Sequence, residues 1–350
     1  MKATVFSFTR KGARLSAKIS KVLEQQGYST DCYTLNEFLS ESPLLKSIET
    51  NLSTVVGKAF LDSSLLIFIG ACGIAVRSIA PYIRDKQTDP AVICIDEQDR
   101  YIIPLLSGHI GGANRVAKNI GLQIKAEPII TTATDINGLI AIDEWAKRNN
   151  VVISDMSIAK KVSANLVDGQ NVGFASDFEI SGEIPEQFSV GSTRNCDVGI
   201  CISLDESQKP FKTTLNLIPR IAFLGIGCKK GISSEAIEEL VLEMLEKNNI
   251  SIKALAGISS IDIKEGEKGL QEFSSKYDLP SAFYSANELN LLRGEFTSSD
   301  FVAEITGVDN VCERAATLLS QGGNLVSKKT VKNGVAAALA FKSWRVIFEE

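Results

Sequence analysis

The chain has 350 residues, a length that predicts two or three domains at about 150 residues each. Apolar residues make up 44% and charged residues 23%, which excludes a mainly disordered chain. The net charge of −5 makes the chain a poor candidate for general nucleic-acid binding. Seven widely spaced cysteines without a CxxC pair, no apolar run of ~18 residues and no signal-peptide pattern predict a cytoplasmic protein that does not enter membranes.

Residues 1–150 alternate strands and helices, which predicts an N-terminal α/β domain with a doubly wound, mostly parallel sheet. The polar turn Asp96-Glu97-Gln98-Asp99 predicts that strands 91–95 and 101–105 form a hairpin. The strands are predicted at 3–8, 29–34, 65–69, 91–95, 101–105 and 128–130. The helices are predicted up to Gly27, at about 44–60, at 74–83, from 113 to near Gly121 and at 139–149.

Residues 151–219 predict a small β-rich middle domain that links the other two, with strands at 196–203 and 213–218. Residues 220–350 return to the β-α pattern and predict a C-terminal α/β domain. Ser285 and Glu288 have the spacing of a capping box. The C-terminal strands are predicted at 221–224, 281–284, 335–340 and 344–348. The apolar stripe of the first helix in this domain is Ile237, Leu240, Val241 and Met244.

The segment 107–114 is the main candidate for a site, because it joins a predicted strand to a predicted helix. Its candidate residues are Ser107, Gly108, His109, Gly111, Gly112 and Asn114. Glycines let the backbone approach a ligand, and the N-terminus of a helix favours an anion. His109 is the only histidine of the chain and suits proton transfer near neutral pH. The alternative is a capped turn with an incidental histidine.

A second loop, Gly70-Ala71-Cys72-Gly73, also follows a predicted buried strand and opens a helix that carries Arg77. We expect Gly70, Gly73 and Arg77 to bind a ligand, although the spacing is not that of the dinucleotide fingerprint. The alternative is a tight turn with a solvated arginine. Cys72 is interpreted as a buried small residue rather than as a nucleophile.

Two further segments carry carboxylates and hydroxyl groups. Asp85 or Asp89 would act as a general base or orient His109, whereas the alternative is a structural turn before Pro90. The second segment follows a short strand, where hydroxyls can hold carboxylates or phosphates; the alternative is capping of the helix that starts at 139. The candidates in this second segment are Thr131, Thr132, Thr134 and Asp135.

In the C-terminal domain, Gly225-x-Gly227-x-x-x-Gly231 follows a predicted strand, and Gly225 and Gly227 are candidates for substrate binding. The last gap is one residue too long for G-x-G-x-x-G, which argues against a nicotinamide site. One histidine and no paired cysteines predict no metal site. The chain also has no G-x-S-x-G elbow, which argues against a Ser-His-Asp hydrolase.

Together these segments resemble the cobalamin biosynthesis protein G family. In the N-terminal part the resemblance is carried by GACGIAVRSIAPYIRDKQTDPAV, LLSGHIGGANRVA and PIITTATD. In the C-terminal part it is carried by FLGIGCKKGISSEAI, GISSIDIKEGEKGLQEF, LPSAFYSANEL and GVDNVCERAA. The resemblance extends over essentially the whole chain in the domain order of the family.

The resemblance implies a cobalt-precorrin-5A hydrolase of anaerobic cobalamin (vitamin B12) biosynthesis. Such an enzyme opens the δ-lactone on ring A and releases C20 with its methyl group as acetaldehyde, which gives cobalt-precorrin-5B. The substrate carries the cobalt, so no cofactor is expected. On this basis we expect His109 to act as general base or acid, Asp85 or Asp89 to orient it or activate water, and Arg77 to pair with a substrate carboxylate. The oxyanion donors would be the N–H groups of Gly108, Gly111 and Gly112.

Two alternatives from other classes stay open. A non-catalytic carrier of corrinoid intermediates would bind the substrate without forming product. An NAD(P)-dependent oxidoreductase would be stabilised by the nucleotide. A homodimer and transient contacts with neighbouring pathway enzymes are also left open.

Overall fold

The protein is described from a computed structural model that covers residues 1–49, 51–85, 88–109, 111–190 and 196–348. The chain divides into two compact units, Met1–Glu144 and Trp145–Glu350. Within the described ranges, no helix has the length and apolar character needed to cross a membrane. The division at residues 150 and 219 stays a prediction.

The first unit is built on one twisted sheet with helices on both faces. Its strands are β1 (Lys2–Ser7), β2 (Ser29–Thr34), β3 (Leu45–Ser47), β4 (Leu65–Ile69), β5 (Ala91–Ile95), β6 (Tyr101–Leu106) and β7 (Glu127–Pro128). Its helices are α1 (Arg10–Gln25), α2 (Leu52–Asp62), α3 (Cys72–Ile79), α4 (Ala113–Ile124), α5 (Ala133–Ile136) and α6 (Ile142–Arg148), the last of which extends past residue 144.

The strand order β3-β2-β1-β4-β5-β6-β7 confirms the predicted doubly wound sheet, and each pair is parallel except the hairpin β5–β6. Successive residues of a strand point to opposite faces, so each strand contributes to two cores. Leu65, Ile67 and Ile69 pack with residues of α1 and α4. Leu66 and Phe68 pack with residues of α2 and α3. Burial on both faces explains why β4 is a continuous apolar run.

The hairpin reverses the chain direction. The loop after β4 and the loop after β6 therefore lie at opposite ends of the strands in the sheet. The N–H of Gly70 donates to the carbonyl of Ile95, at the carboxyl end of β5. Leu106, the last residue of β6, lies opposite Val92, near the amino end of β5. At ~3.3 Å per residue, Ile95 and Val92 are separated by about 10 Å along β5. The two glycine loops predicted from sequence therefore belong to different places in the fold.

Two predicted helices of this unit differ from the structure. The helix predicted at about 44–60 is replaced by the short strand β3, whose Leu45 pairs with Cys32, and by α2, which starts at Leu52. The side chain of Asn51 accepts the N–H of Ser53 and fixes this later start. The helix predicted at 74–83 ends at Ile79, because the next turn is a 3-10 helix that contains Pro81.

The second unit contains two larger sheets, in the orders β11-β9-β12-β13-β8 and β16-β15-β14-β18-β17, and the small pair β10-β19. Its strands are β8 (Val151–Ile153), β9 (Val172–Ser176), β10 (Ile180–Ser181), β11 (Phe188–Val190), β12 (Val198–Ile202), β13 (Thr213–Pro219), β14 (Ala222–Cys228), β15 (Leu255–Ile261), β16 (Ser281–Tyr284), β17 (Asn324–Lys332), β18 (Val335–Phe341) and β19 (Val346–Ile347). Its helices are α7 (Met156–Val167), α8 (Ser234–Lys247), α9 (Lys268–Lys276), α10 (Ala286–Leu291), α11 (Asp300–Thr306) and α12 (Val311–Leu319).

The β-rich middle region and the C-terminal sheet with helices are confirmed, and so is the capping box of Ser285 and Glu288 at α10. Helix α7 in the middle region was not predicted. Its N-cap is Asp155, whose side chain accepts the N–H groups of Ser157 and Ile158.

Glu313 on α12 is a fully buried carboxylate, with 0% exposure, that joins three segments of the second unit. Its oxygens accept the N–H of Lys329 at 2.7 Å, and the N–H and the hydroxyl of Thr297 at 2.8 Å each. Burial alone would raise the pKa of the Glu313 carboxyl, but these donors hold the pKa below its usual range. The charged form is therefore part of the folded structure.

We expect Glu313→Gln to lower the free energy of unfolding by about 1–3 kcal/mol at neutral pH, because an amide cannot replace a carboxylate that accepts three hydrogen bonds. A depressed pKa in the folded state stabilises the protein above the unfolded pKa of about 4.3, and this contribution is lost as the pH falls through the folded pKa. Urea unfolding of both proteins from pH 7 down to pH 3 should show the difference shrinking. A difference that is constant over this range would contradict the expectation.

Candidate functional site

The candidate site lies at the carboxyl ends of the parallel pair β6 and β7, next to the amino end of β5. Tyr101 and Ile102 of β6 pair with Glu127 and Pro128 of β7, so the segments that follow these strands emerge side by side. The hydroxyl of Ser107 donates to the carbonyl of Asp89 at 3.0 Å and ties the loop after β6 to the loop before β5. The site therefore collects three segments that are distant in sequence.

The glycines after β6 are required by a tight turn into α4. A β-carbon on Gly111 would lie 2.4 Å from the β-carbon of Ser107, and one on Gly108 would lie 2.9 Å from Oδ1 of Asn114. Gly112 has a φ of 81°, a conformation that favours glycine. Its N–H donates to the carbonyl of His109 at 2.8 Å. This N–H is thus used inside the turn, in contrast to the expectation that it would stabilise an oxyanion.

His109 is held by two residues of α5. Its Nε2 lies 3.0 Å from the hydroxyl oxygen of Thr134 and 3.3 Å from Oδ2 of Asp135. The imidazole is 21% exposed, so it is restrained on one side and accessible on the other. A histidine with one nitrogen fixed by a carboxylate is the arrangement used in general acid–base catalysis.

Asp135 receives two more donors, both from α4. Nδ2 of Asn114 donates to Oδ2 at 2.8 Å, and Nζ of Lys118 donates to Oδ1 at 2.8 Å. Burial alone would raise the pKa of the Asp135 carboxyl, but the hydrogen bonds of Lys118 and Asn114 and the charges of Lys118 and His109 hold the pKa below its usual range. Asp135 is therefore a stable anion beside His109.

Lys118 is the residue of this cluster that the sequence analysis missed. It lies one helical turn after Asn114, and residues four apart share one face of a helix. Asn114 was a candidate, so this spacing was the signal that could have identified Lys118.

The carboxylate beside His109 differs from the one expected. Asp85 and Asp89 were expected to orient the imidazole, but Asp135 occupies that position. Asp89 is buried, and its Oδ2 accepts the N–H of Arg84 at 2.9 Å. The carbonyl of Asp85 accepts the N–H of Asp89 at 2.9 Å, so both residues shape the turn before β5.

Thr132 contributes to the site in a way that differs from helix capping. It precedes α5 but its side chain makes no capping hydrogen bond. Its hydroxyl instead accepts Nδ2 of Asn114 at 2.7 Å. Thr131, the neighbouring candidate, is exposed at the end of the same segment.

The other N-terminal candidates lie in the loop after β4, at the opposite ends of the strands from His109. Gly70 and Gly73 flank the start of α3, and the guanidinium of exposed Arg77 lies 3.4 Å from where a β-carbon of Gly73 would be. The thiol of Cys94 donates to the carbonyl of Gly70 at 3.1 Å. Burial raises the pKa of the Cys94 thiol to about 12, and the neighbouring Cys72 adds to the rise. The structure does not bring this loop to His109.

Gly225 and Gly227, in the second unit, lie within strand β14 rather than in a loop. The predicted strand 221–224 continues to Cys228, because β14 pairs with β18 along its whole length. A β-carbon on Gly225 would lie 1.8 Å from the carbonyl oxygen of Cys312 in α12. The expectation that Gly225 binds substrate is therefore corrected: helix packing leaves no space for a ligand there.

The described ranges (1–49, 51–85, 88–109, 111–190 and 196–348) contain the side chains considered for a metal site. No group of three or more His, Cys, Asp or Glu side chains is arranged there to hold a metal ion. All seven cysteines lie in those ranges and are free thiols.

Comparison with protein families matches three successive segments of the chain. The cobalamin synthesis G N-terminal model matches residues 54–135, which include the whole candidate site. The cobalamin biosynthesis central region matches residues 140–219, and the cobalamin synthesis G C-terminus matches residues 222–340.

Curated relatives extend over nearly the whole chain. A cobalt-precorrin-5A hydrolase from Salmonella typhimurium is 34% identical over 346 residues, covering 96% of this chain and 96% of that protein. A cobalt-precorrin-5A hydrolase from Priestia megaterium is 28% identical over 359 residues, covering 96% and 94%. Among solved structures, a cobalamin biosynthesis protein G homolog from Sulfolobus solfataricus is 20% identical, covers 98% of this chain and 97% of that chain, and has a TM-score of 0.42.

Proposed function

The chain belongs to the cobalamin synthesis G family, and from this premise we propose that it is a cobalt-precorrin-5A hydrolase that reacts at the loops after β6 and β7. The observation that carries the location is the contact of His109 with Thr134 and Asp135 at 3.0 and 3.3 Å. This cluster combines an accessible imidazole with a fixed anion, which is what proton transfer to and from a substrate requires.

The reaction needs a proton acceptor and a proton donor. Water attacks the lactone carbonyl and loses one proton to the base, and the tetrahedral intermediate collapses to a carboxylic acid and a C20 alkoxide. The carboxylic acid then ionises and releases the second proton of the water to solvent. The alkoxide collapses to the aldehyde as the C1–C20 bond breaks, and the electron pair of that bond passes to the conjugated macrocycle, which takes up a proton. C20 and its methyl group leave as acetaldehyde.

His109 serves as the base for the attacking water, and in its protonated form it returns a proton to the macrocycle. Asp135 is the counter-ion of the imidazolium that forms between the two steps, since its Oδ2 lies 3.3 Å from Nε2. The N–H groups of Gly108 and Gly111 are the proposed donors to the lactone oxyanion. Arg77 is proposed to bind a peripheral carboxylate of the substrate, away from the reacting bonds.

The proposal is tested with cobalt-precorrin-5A prepared without oxygen and the purified full-length protein. Acetaldehyde is followed through NADH oxidation by alcohol dehydrogenase, and the corrinoid product is identified by mass. We expect protein-dependent acetaldehyde in step with the mass change. Tight binding of the substrate without acetaldehyde would favour the carrier alternative. No comparison supports the oxidoreductase alternative.

A cytoplasmic location, homodimerisation and transient contacts with neighbouring pathway enzymes stay predictions. The free thiols support a reducing compartment. Light scattering on the purified protein measures the oligomeric state directly.

A further inference from the structure

We infer that Lys118 is a positioning residue for this reaction: with Asn114 it fixes Asp135, so that His109 keeps its proton on Nε2 and presents Nδ1 to the substrate. The inference deepens the proposed function and rests on it for the reaction, but the orientation of the imidazole can be measured without substrate.

The carboxylate of Asp135 is fully engaged. Lys118 occupies Oδ1, while Asn114 and His109 share Oδ2. Lys118 and Asn114 both come from α4, and Asp135 comes from α5, so the carboxylate cannot rotate without breaking contacts to another element. Its orientation is fixed independently of His109.

This arrangement decides the tautomer of His109. An ionised carboxylate only accepts hydrogen bonds, so a hydrogen bond between Nε2 and Asp135 requires the proton on Nε2. In the opposite tautomer the hydroxyl of Thr134, 3.0 Å away, would donate to Nε2, and the electron pair of Nε2 would lie 3.3 Å from the anionic Oδ2 of Asp135. That repulsion disfavours the opposite tautomer. The neutral ring then has its free electron pair on Nδ1. Within the part of the chain that the structure describes, Nδ1 has no hydrogen-bonding partner. Nδ1 is therefore the atom that accepts the proton of the attacking water.

The elements next to His109 carry Asp135 on α5, Lys118 and Arg115 on α4, and Asp89 before β5. Among the described residues, the loop before β5 also carries Arg84 and Asp85. Asp89 is turned toward the N–H of Arg84. Lys118 is thus the cation that is bonded to the partner of His109, and its side chain is 49% exposed, so its removal leaves the core unchanged.

The test compares Lys118→Met and Lys118→Arg with the unaltered protein. His109 is the only histidine, so labelling histidine with nitrogen-15 gives one pair of ring signals that needs no assignment. We expect the unaltered protein and Lys118→Arg to show a protonated Nε2 and an unprotonated Nδ1. We expect Lys118→Met to show a mixture of the two tautomers.

The kinetic expectation follows from the same contact. Lys118→Met should lower kcat about 10- to 100-fold with little change in KM, and Lys118→Arg should restore most of kcat. Lys21→Met, which removes an exposed lysine from α1, is the matched control and should leave both parameters unchanged.

Two results would overturn the inference: an unchanged tautomer in Lys118→Met, or a loss in KM alone, which would make Lys118 a substrate contact. If the unaltered protein forms no acetaldehyde, the proposed function fails, whereas the nitrogen-15 spectra still decide whether Lys118 fixes the imidazole.

Discussion

Replacing His109 by glutamine is expected to lower the rate of acetaldehyde release by about 10²-fold or more, because the amide cannot accept a proton at neutral pH. Glutamine keeps a side-chain donor that can reach Asp135 or Thr134, so the packing of the loop should survive. The measurement is kcat with saturating cobalt-precorrin-5A, together with the binding constant of the substrate, which should change little.

Asp135→Asn is the companion variant. An amide can hold the imidazole in place but carries no charge, so the imidazolium formed during the reaction loses its counter-ion. We expect a loss comparable to that of His109→Gln, and a double variant that is no slower than the slower single variant, because the two residues act as one unit. A folded His109→Gln protein with near-normal turnover would refute the assignment of His109.

The second large effect is expected from Gly225→Ala, which should destabilise the second unit by about 3 kcal/mol and lower its Tm by roughly 6–12 °C. The added β-carbon would lie 1.8 Å from the carbonyl oxygen of Cys312 and 2.6 Å from the backbone nitrogen of Ala316. Both are main-chain atoms of α12, so relief requires the helix to move away from β14. Thermal unfolding followed by circular dichroism measures the change.

Gly227→Ala is the matched control, because the same substitution two residues along β14 makes only ordinary van der Waals contacts. Its added β-carbon would lie 3.9 Å from the nearest atoms, which belong to Val311 and Ala336. We expect a Tm close to that of the unaltered protein. Equal destabilisation by both substitutions would show that the strand, rather than the helix contact, disfavours a side chain.

The sequence predicted an element correctly where its hydrophobic pattern is compatible with only one kind of secondary structure. The apolar run 65–69 is buried on both faces, and the polar turn before residue 101 forms the predicted hairpin. The single helix predicted at about 44–60 was wrong. Leu45 belongs to strand β3, and the helix α2 begins only at Leu52. A short edge strand forms because it pairs with a neighbouring strand, here through Leu45 and Cys32 of β2. The local sequence around Leu45 carries no information about that neighbour.

Most residues of the candidate cluster were named from the sequence, but Lys118 and the arrangement of the cluster were not. His109 and Asp135 were both candidates, yet they are separated by 26 residues and meet because β6 and β7 are parallel neighbours. Asp85 and Asp89 are separated from His109 by similar distances in sequence, so only the strand pairing distinguishes Asp135 from them. The predicted hairpin already implied that Gly70 and His109 are far apart. Two antiparallel strands end at opposite ends of the sheet, so the loop after β6 does not lie beside the loop after β4.

Both contacts that restrain Asp135 from α4 come from one face of that helix, a single turn apart. Asn114 and Lys118 lie on the same helix of 12 residues. A displacement of that helix would therefore break both hydrogen bonds to Asp135 together. A slide of about 1.5 Å, the rise of one residue, is enough to misplace both. The geometry of the candidate site is therefore cooperative. If turnover depends on this site, denaturant should abolish turnover in a single sharp step, at the concentration where α4 leaves the sheet, without a preceding gradual decline.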